Sequence, residues 1–201
     1  MEKLCVTFEE WHLGDGNYPP LHKGQKVNLS FYIYPGNKEI NANEEYYFNP
    51  IADSNYMFSG KVIRNYVDNE KQIIIIDTGS FKFYLEEFDL NFRPLVGQFI
   101  SGNGLLLLDY YIWVENLDDY PDAPNIFYNF EVSQILRISI PEHFIHRHSD
   151  GGTSYPTSLS PGEYDNEHVQ EIEDMADDTT GYRFYLLKLI SIDEEFAKTF
   201  N

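Results

Sequence analysis

The stretch QIIIIDTGSFKFYLE, residues 72–86, predicts a β-hairpin and decides the fold class. Its first half is a run of β-branched apolar residues, and its second half alternates through Phe81, Phe83 and Leu85. Residues 78–80 between the halves are Thr, Gly and Ser, which are typical of a tight turn. A lone hairpin is marginally stable in water, so this one requires further strands.

Further strands are predicted on both sides of the hairpin. Residues 27–34 alternate between apolar and polar side chains and end at a Pro-Gly-Asn sequence, whereas the polar, Asn-rich residues 36–55 indicate a loop. Residues 56–67 form a strand with Gly60 as a bulge or bend. Residues 98–114 supply one bent strand or two short ones. The chain is therefore expected to be rich in β-structure.

These elements predict a mainly β protein with a minor α component, built as a small antiparallel β-barrel or sandwich. The strand pattern over residues 56–140 resembles an OB-type barrel, and this resemblance rests on strand spacing and implies no function. We expect a single domain over residues 1–201. Its parts are N-terminal strands and a loop at 1–55, the barrel core at 56–140, a polar loop plus an acidic helix at 145–181, and a C-terminal strand at 182–196.

Two distant segments of the chain are similar. Residues 130–144 end in ISIPEHF and residues 182–196 end in ISIDEEF. Both read as strands, and their similarity suggests related places in the sheet. One pair is too little for a repeat architecture, which needs about three units.

The chain is strongly acidic and its charge is uneven. It carries 33 Asp and Glu against 14 Lys and Arg, a formal net charge of −19. Eighteen of the acidic residues and five of the basic residues follow position 113. Phosphate binding requires basic side chains, so nucleic acid and anionic membranes are excluded as partners and a basic protein is favoured.

The acidic residues are densest in a segment that reads as a helix, near residues 161–178. Ser160 and Glu163 have capping-box spacing, and Val169, Ile172 and Met175 follow at helical intervals. We expect a short amphipathic helix with an acidic exposed face. The residues predicted to bind a partner are Glu163, Asp165, Glu167, Glu171, Asp174 and Asp178.

The hairpin also contains a catalytic-looking motif. Residues 73–80, an apolar run ending in Asp-Thr-Gly-Ser, resemble the active-site signature of aspartic proteases. In that family two such carboxylates share a proton, so the resemblance implies catalysis by Asp77 only in a homodimer. The same four residues also spell an ordinary turn with Asp at its first position. Asp77 is thus a weak catalytic candidate, and the turn is the simpler interpretation.

Three further groups of residues could carry chemistry. Weak metal-ligand candidates are His143, His146, His148 and His168, although their spacing matches no standard site, and no cofactor is expected. Trp11, His12, Asp15 and Tyr18 surround a Gly-rich turn that suits either a ligand cleft or a simple strand connection. The lone Cys5 has no nucleophile motif around it.

Three classes of function remain open from the sequence. We expect a non-catalytic acidic protein that docks a basic protein, as an immunity or inhibitor protein does. The alternatives are an enzyme that uses Asp77 or a His-bound metal, and an assembly subunit with residues 130–144 and 182–196 at its interface. The single Cys5 and an N-terminal sequence without a continuous apolar run favour the cytoplasm. The sequence does not reveal the oligomeric state.

Overall fold

The computed structural model describes residues 4–14, 16, 18–67, 70–109, 120, 122–156, 158–160, 162–178 and 181–192. Within these residues one short helix, α1 (Trp11–Gly14), accompanies thirteen strands. The strands are β1 (Leu4–Glu9), β2 (Lys26–Leu29), β3 (Phe31–Asn41), β4 (Tyr47–Ala52), β5 (Asn55–Val67), β6 (Gln72–Asp77), β7 (Lys82–Glu87), β8 (Phe99–Leu108), β9 (Tyr128–Ser139), β10 (His146–Arg147), β11 (Thr153–Ser154), β12 (Val169–Ile172) and β13 (Arg183–Ser191). The prediction of a mainly β protein is confirmed.

Five strands close into a barrel. β5, β6 and β7 form an antiparallel meander, β3 pairs in parallel with β7 where Tyr32 lies opposite Tyr84, and β8 closes the ring between β3 and β5. The boundaries predicted for the barrel, 56–140, were wrong because the ring includes β3 and excludes β9. Alternation identifies a strand but not its partner. The OB-like order of connections stays a prediction.

The four consecutive isoleucines of β6 are buried on both faces of the barrel wall. Ile74 and Ile76 point into the main core, whereas Ile73 and Ile75 pack in a second cluster that includes Ile126. A strand with both faces covered needs no polar alternation, which explains the unbroken apolar run. Full burial of each side chain contributes about 2 kcal/mol of hydrophobic stabilisation.

The remaining strands extend the barrel wall into a larger sheet. β1 runs parallel to β8, with Thr7 opposite Leu107, and β13, β9 and β12 follow in that order. β2 lies on the same side of β9 as β12, and β4 pairs with β5. Two core clusters cover the opposite faces of β13 and account for its apolar run at residues 184–187.

The two similar segments are neighbours in this extension. β9 and β13 pair antiparallel from Arg183 opposite Ser139 to Ser191 opposite Phe130. Their similarity therefore reflects adjacent places in one sheet. Because β13 lies between β1 and β9, its edges are occupied within the chain. Residues 193–196 of the second segment lie outside the described residues.

The loop predicted at 36–55 was wrong. β3 continues through a bulge between Pro35 and Lys38 to Asn41, and β4 follows at Tyr47–Ala52. Proline is tolerated in a strand at such an irregularity, so the Pro-Gly-Asn sequence bends the strand instead of ending it. β8 is one continuous strand from Phe99 to Leu108, and residues 110–114 lie outside the described part.

The acidic helix predicted near 161–178 was also wrong. The segment contains a 3₁₀ turn at Asn166–His168, strand β12 and a second 3₁₀ turn at Met175–Asp177. Asp165 and Asp174 begin these turns, and each side chain accepts a backbone N–H two residues later. Aspartate side chains compete in this way with helical hydrogen bonds. Residue 161 is not described.

Candidate functional site

A small cleft opens where the end of β1 meets the start of β13. Its volume is about 190 Å³. The hairpin of β10 and β11 contributes one side, and the turn into α1 contributes the other. The cleft is lined by Glu10, Trp11, Thr153, Ser154, Tyr155 and Arg183. Trp11, one of the ligand-cleft candidates from the sequence, is among these lining residues, and a ligand for the cleft stays a prediction.

Trp11 is held in place by the residues on either side of it. Its indole Nε1–H donates to Glu9 Oε2 at 3.0 Å. Its ring lies 4.2 Å from the His12 ring, centroid to centroid. Glu9 and His12 are both buried, so the indole is anchored by groups that cannot easily move.

His12 is a buried neutral imidazole rather than a wall of the cleft. Its ring contacts Phe8 and Tyr18 edge-to-face, and burial lowers its pKa to about 4. Neither ring nitrogen has a hydrogen-bond partner among the described residues, nor does the Tyr18 hydroxyl. Glu9 Oε2 lies 3.9 Å from His12 Nε2, too far for a hydrogen bond. Asp15, the fourth predicted residue, lies outside the described part.

Arg183 forms the base of the cleft and is almost fully buried. Its Nε donates to Tyr185 Oη at 2.9 Å and lies 3.1 Å from Asp178 Oδ2. Nη1 donates to the Gly181 carbonyl at 2.7 Å, and Nη2 donates to the Asp178 carbonyl at 2.8 Å. Nη2 also lies 3.2 Å from Glu10 Oε1. The guanidinium is thus largely saturated by protein groups.

Asp178 is the centre of this ion network. The Arg137 Nε atom lies 2.8 Å from Asp178 Oδ2, so one carboxylate pairs with two guanidinium groups. Tyr185 Oη also donates to Asp178 Oδ2 at 3.1 Å, and burial raises the pKa of this phenol to about 12. The prediction that Asp178 lies on an exposed docking face was therefore wrong, because its side chain is only 10 % exposed.

Tyr155 forms the aromatic wall opposite the α1 side of the cleft. Its ring packs on Tyr182 with centroids 4.2 Å apart. Burial, followed by the negative charge of Glu10, raises the pKa of the Tyr155 phenol. Glu10 Oε1 forms the ion pair with Arg183 Nη2, while Oε2 accepts no hydrogen bond from any described residue. The cleft therefore combines aromatic walls with an available carboxylate oxygen.

A second acidic surface lies on the outer side of the sheet. We define the acidic edge as Glu167, Glu171 and Glu173, on β12 and its flanking residues. Lys23 contacts Glu173 at 3.0 Å and Glu171 at 3.5 Å. A hydrogen bond from Gln134 at 2.7 Å is the main cause that lowers the pKa of Glu171. All three side chains are exposed.

The remaining acidic candidates serve local structure. Glu163 Oε2 accepts the Ser160 backbone N–H, so the predicted capping contact forms without a helix after it. Asp165 starts the first 3₁₀ turn, and its hydrogen bond with His168 lowers its pKa. Asp174 starts the second turn and is half-buried. These three carboxylates are engaged by the chain itself.

Asp77 occupies the predicted hairpin turn. Its Oδ1 accepts the Gly79 N–H at 2.8 Å, and Gly79 has a φ of +88°. The Thr78 hydroxyl donates to the Phe81 carbonyl at 2.8 Å. A left-handed Gly after Asp is the normal chemistry of such turns. The turn interpretation is confirmed, and the side chains of Asp77 and Thr78 each stabilise the turn.

The predicted histidines do not converge. His143, His146 and His148 are not buried, and the His148 Nε2 atom lies 2.9 Å from Ser154 Oγ. His168 pairs with Asp165 at 2.7 Å. In the described residues no three His, Cys, Asp or Glu side chains are grouped to hold a metal ion. Burial raises the pKa of the Cys5 thiol to about 12, so it is not a reactive thiolate.

A larger groove of about 300 Å³ lies between β3 and β7, where the two parallel strands diverge. Tyr34 and Phe88 are exposed along it. Its ionisable groups are already paired, with the Lys38 Nζ atom 2.6 Å from Glu87 Oε2. This groove therefore offers apolar contact without an available charge, unlike the cleft beside Trp11.

Sequence reasoning missed Arg183, Tyr155 and Glu10. Arg183 carried a usable signal, because a charged residue that directly precedes an apolar run such as residues 184–187 must find partners if the run is buried. No family model, curated protein or solved structure matches this chain. In the described residues no helix is long and apolar enough to cross a membrane.

Proposed function

We propose that this protein is a non-catalytic binding protein that docks a basic protein partner through the acidic edge. The observation that carries the proposal is the set of exposed carboxylates of Glu167, Glu171 and Glu173, which lie on the terminal strand β12 and on the residues that flank it. Lys23 contacts Glu171 and Glu173, and the charge of Lys188 also acts on Glu171, so these two bases leave one of the three carboxylates without compensation. The edge therefore keeps a net negative charge toward solvent.

The charge of the whole chain supports the same reading. A formal charge of −19 accelerates association with a basic protein and repels nucleic acid. An inhibitor or immunity protein that occupies the basic site of a nuclease fits this chemistry. The cysteine Cys5 is buried and forms no disulfide, which is consistent with the cytoplasmic location that we also propose.

The structural roles of Asp77, the histidines, β9 and β13 favour a binding protein over an enzyme or an assembly subunit. Asp77 stabilises a turn, and the histidines are dispersed over separate elements. The assembly alternative placed an interface on β9 and β13, and these strands instead pair with each other. Neither alternative gains a supporting contact from the described residues.

The test is affinity capture from a lysate of the source cell with three immobilised proteins. These are the wild type, an edge variant with Glu167, Glu171 and Glu173 changed to Gln, and a control variant with Glu39, Glu44 and Glu45 changed to Gln. Both variants lose three exposed carboxylates, so their net charges are equal. We expect one or more basic proteins to be captured by the wild type and the control and to be lost by the edge variant.

The captured protein is then purified and its association rate is measured at increasing salt. We expect a steep fall in the rate for the wild type and a shallower fall for the edge variant, because screening removes long-range attraction. Equal capture by the edge variant and the control, or rates independent of salt, would contradict the proposal.

A further inference from the structure

The cleft beside Trp11 has the size of a site for one side chain. Sites for small molecules and cofactors commonly enclose about 300–1,000 Å³. This cleft has about 190 Å³. Anchor side chains of protein partners fill pockets of this kind at the centres of interfaces.

The chemistry of the cleft selects a cation. An anion would meet Glu10, and the Arg183 guanidinium is already engaged with Asp178, Tyr185 and the Gly181 carbonyl. A cation would instead meet the Glu10 carboxylate in a cleft whose lining includes the aromatic rings of Trp11 and Tyr155. Aromatic faces attract ammonium and guanidinium groups through their quadrupoles.

We propose that the cleft binds the cationic side chain of an arginine or lysine presented by the basic partner. In this arrangement the cation lies between Trp11 and Tyr155 and pairs with Glu10. The inference rests on the proposed function for the source of that side chain, but the cleft itself can be tested without the partner.

The surroundings of Trp11 suit this role. The Glu9 carboxylate accepts the indole N–H, which increases the electron density of the ring that the cation would face. His12 lies against the same indole and remains neutral at physiological pH, because burial lowers its pKa to about 4. An uncharged imidazole adds no repulsion toward an incoming cation.

The experiment follows the Trp11 indole N–H by two-dimensional NMR. The second tryptophan, Trp113, is changed to Phe so that one indole signal remains. The protein is titrated with N-acetyl-arginine amide and with N-acetyl-citrulline amide, which has nearly the same shape and no charge. We expect a saturable shift with the arginine compound and affinity for citrulline weaker by about tenfold or more.

Two pairs of variants locate the binding. Glu10→Gln and Tyr155→Leu should each weaken arginine binding by about tenfold, because they remove the charge or the aromatic face. Tyr155→Phe and Glu39→Gln should change it by less than about twofold. Retained dispersion of the backbone NMR signals shows that each variant is folded.

Equal binding of citrulline and arginine, or no saturable shift, overturns the cleft proposal. Free L-arginine carries an α-carboxylate that Glu10 would repel, so tighter binding of the free amino acid would overturn a polypeptide source. The capture experiment depends on the acidic edge instead. The cleft can therefore fail while partner docking stands, and docking can fail while the cleft still binds arginine.

Discussion

His12 links the packing beneath Trp11 to the pH dependence of stability. The ordinary pKa of a histidine is 6.5, and burial lowers that of His12 to about 4. Between these values the unfolded chain binds a proton that the folded protein does not bind. The free energy of unfolding therefore has its full contribution from His12 above pH 6.5. This contribution, up to about 3 kcal/mol, is lost progressively as the pH decreases toward 4.

We expect His12→Phe to flatten this pH dependence, since a phenyl ring fills the same apolar surroundings and does not titrate. The measurement is urea unfolding at several pH values between 4 and 7. His146→Gln is the control, because His146 is exposed and should leave the profile unchanged. Parallel profiles for wild type and His12→Phe would show that His12 is not responsible.

Asp178 and Glu167 test the difference between a buried and an exposed carboxylate. Asp178→Asn removes the charge of the carboxylate that Arg137 and Arg183 share. Breaking a buried ion pair costs about 3–5 kcal/mol, so a large loss of unfolding free energy is expected in urea. Glu167→Gln should change it by less than about 0.5 kcal/mol. Similar losses in both would contradict the buried network.

Among the secondary-structure elements, sequence patterns gave correct predictions where residues close together in the chain determine the conformation. The hairpin of β6 and β7 was predictable because its turn residues and apolar strands adjoin in sequence. The helix near 161–178 failed because Val169 and Ile172 pack in different core clusters on opposite faces of the sheet. Spacing of three residues then fits a strand as well as a helix, and only distant partners decide between them.

The cleft was predictable only in part, because its residues come from segments that are far apart in the sequence. Trp11 stood out beside a Gly-rich turn, and its role as a wall followed from local sequence. Tyr155 and Arg183 reach the cleft only through the folding of β11 and β13 against β1. A site assembled from three separated segments has no short motif, so sequence reasoning found one wall of it.

Gly104 shows how tightly β8 packs against β3. A Cβ atom at this position would clash with the Tyr34 carbonyl oxygen. Gly162 has a φ of +95° and nothing within 4 Å of such an atom. We expect Gly104→Ala to cost about 3 kcal/mol through overpacking and Gly162→Ala about 1 kcal/mol through backbone strain. Thermal unfolding of both variants measures the difference, and equal costs would contradict the close approach.

For the whole molecule, the uneven charge implies that salt stabilises the fold. A net charge of −19 repels itself in the compact state, and many of its carboxylates are exposed. Sodium chloride at 0.5 M reduces the screening length to about 4 Å and weakens this repulsion more than it weakens the buried pairs of Asp178. We therefore expect the melting temperature to rise by several degrees, about 3–6 °C, between low salt and 0.5 M.

The acidic edge variant and the control variant with Glu39, Glu44 and Glu45 changed to Gln test whether this repulsion is general or local. Both make the net charge less negative by three, so the melting temperature of each should rise less with salt than that of the wild type if repulsion is general. A flatter response in the acidic edge variant alone would place the repulsion at the acidic edge, on β12 and its flanking residues. If the melting temperature of the wild type instead falls with added salt, the attraction within exposed ion pairs is stronger than the repulsion among the carboxylates. In that case bases of the same chain would neutralise the carboxylates of the acidic edge. The edge would then have no net negative charge with which to attract a basic partner.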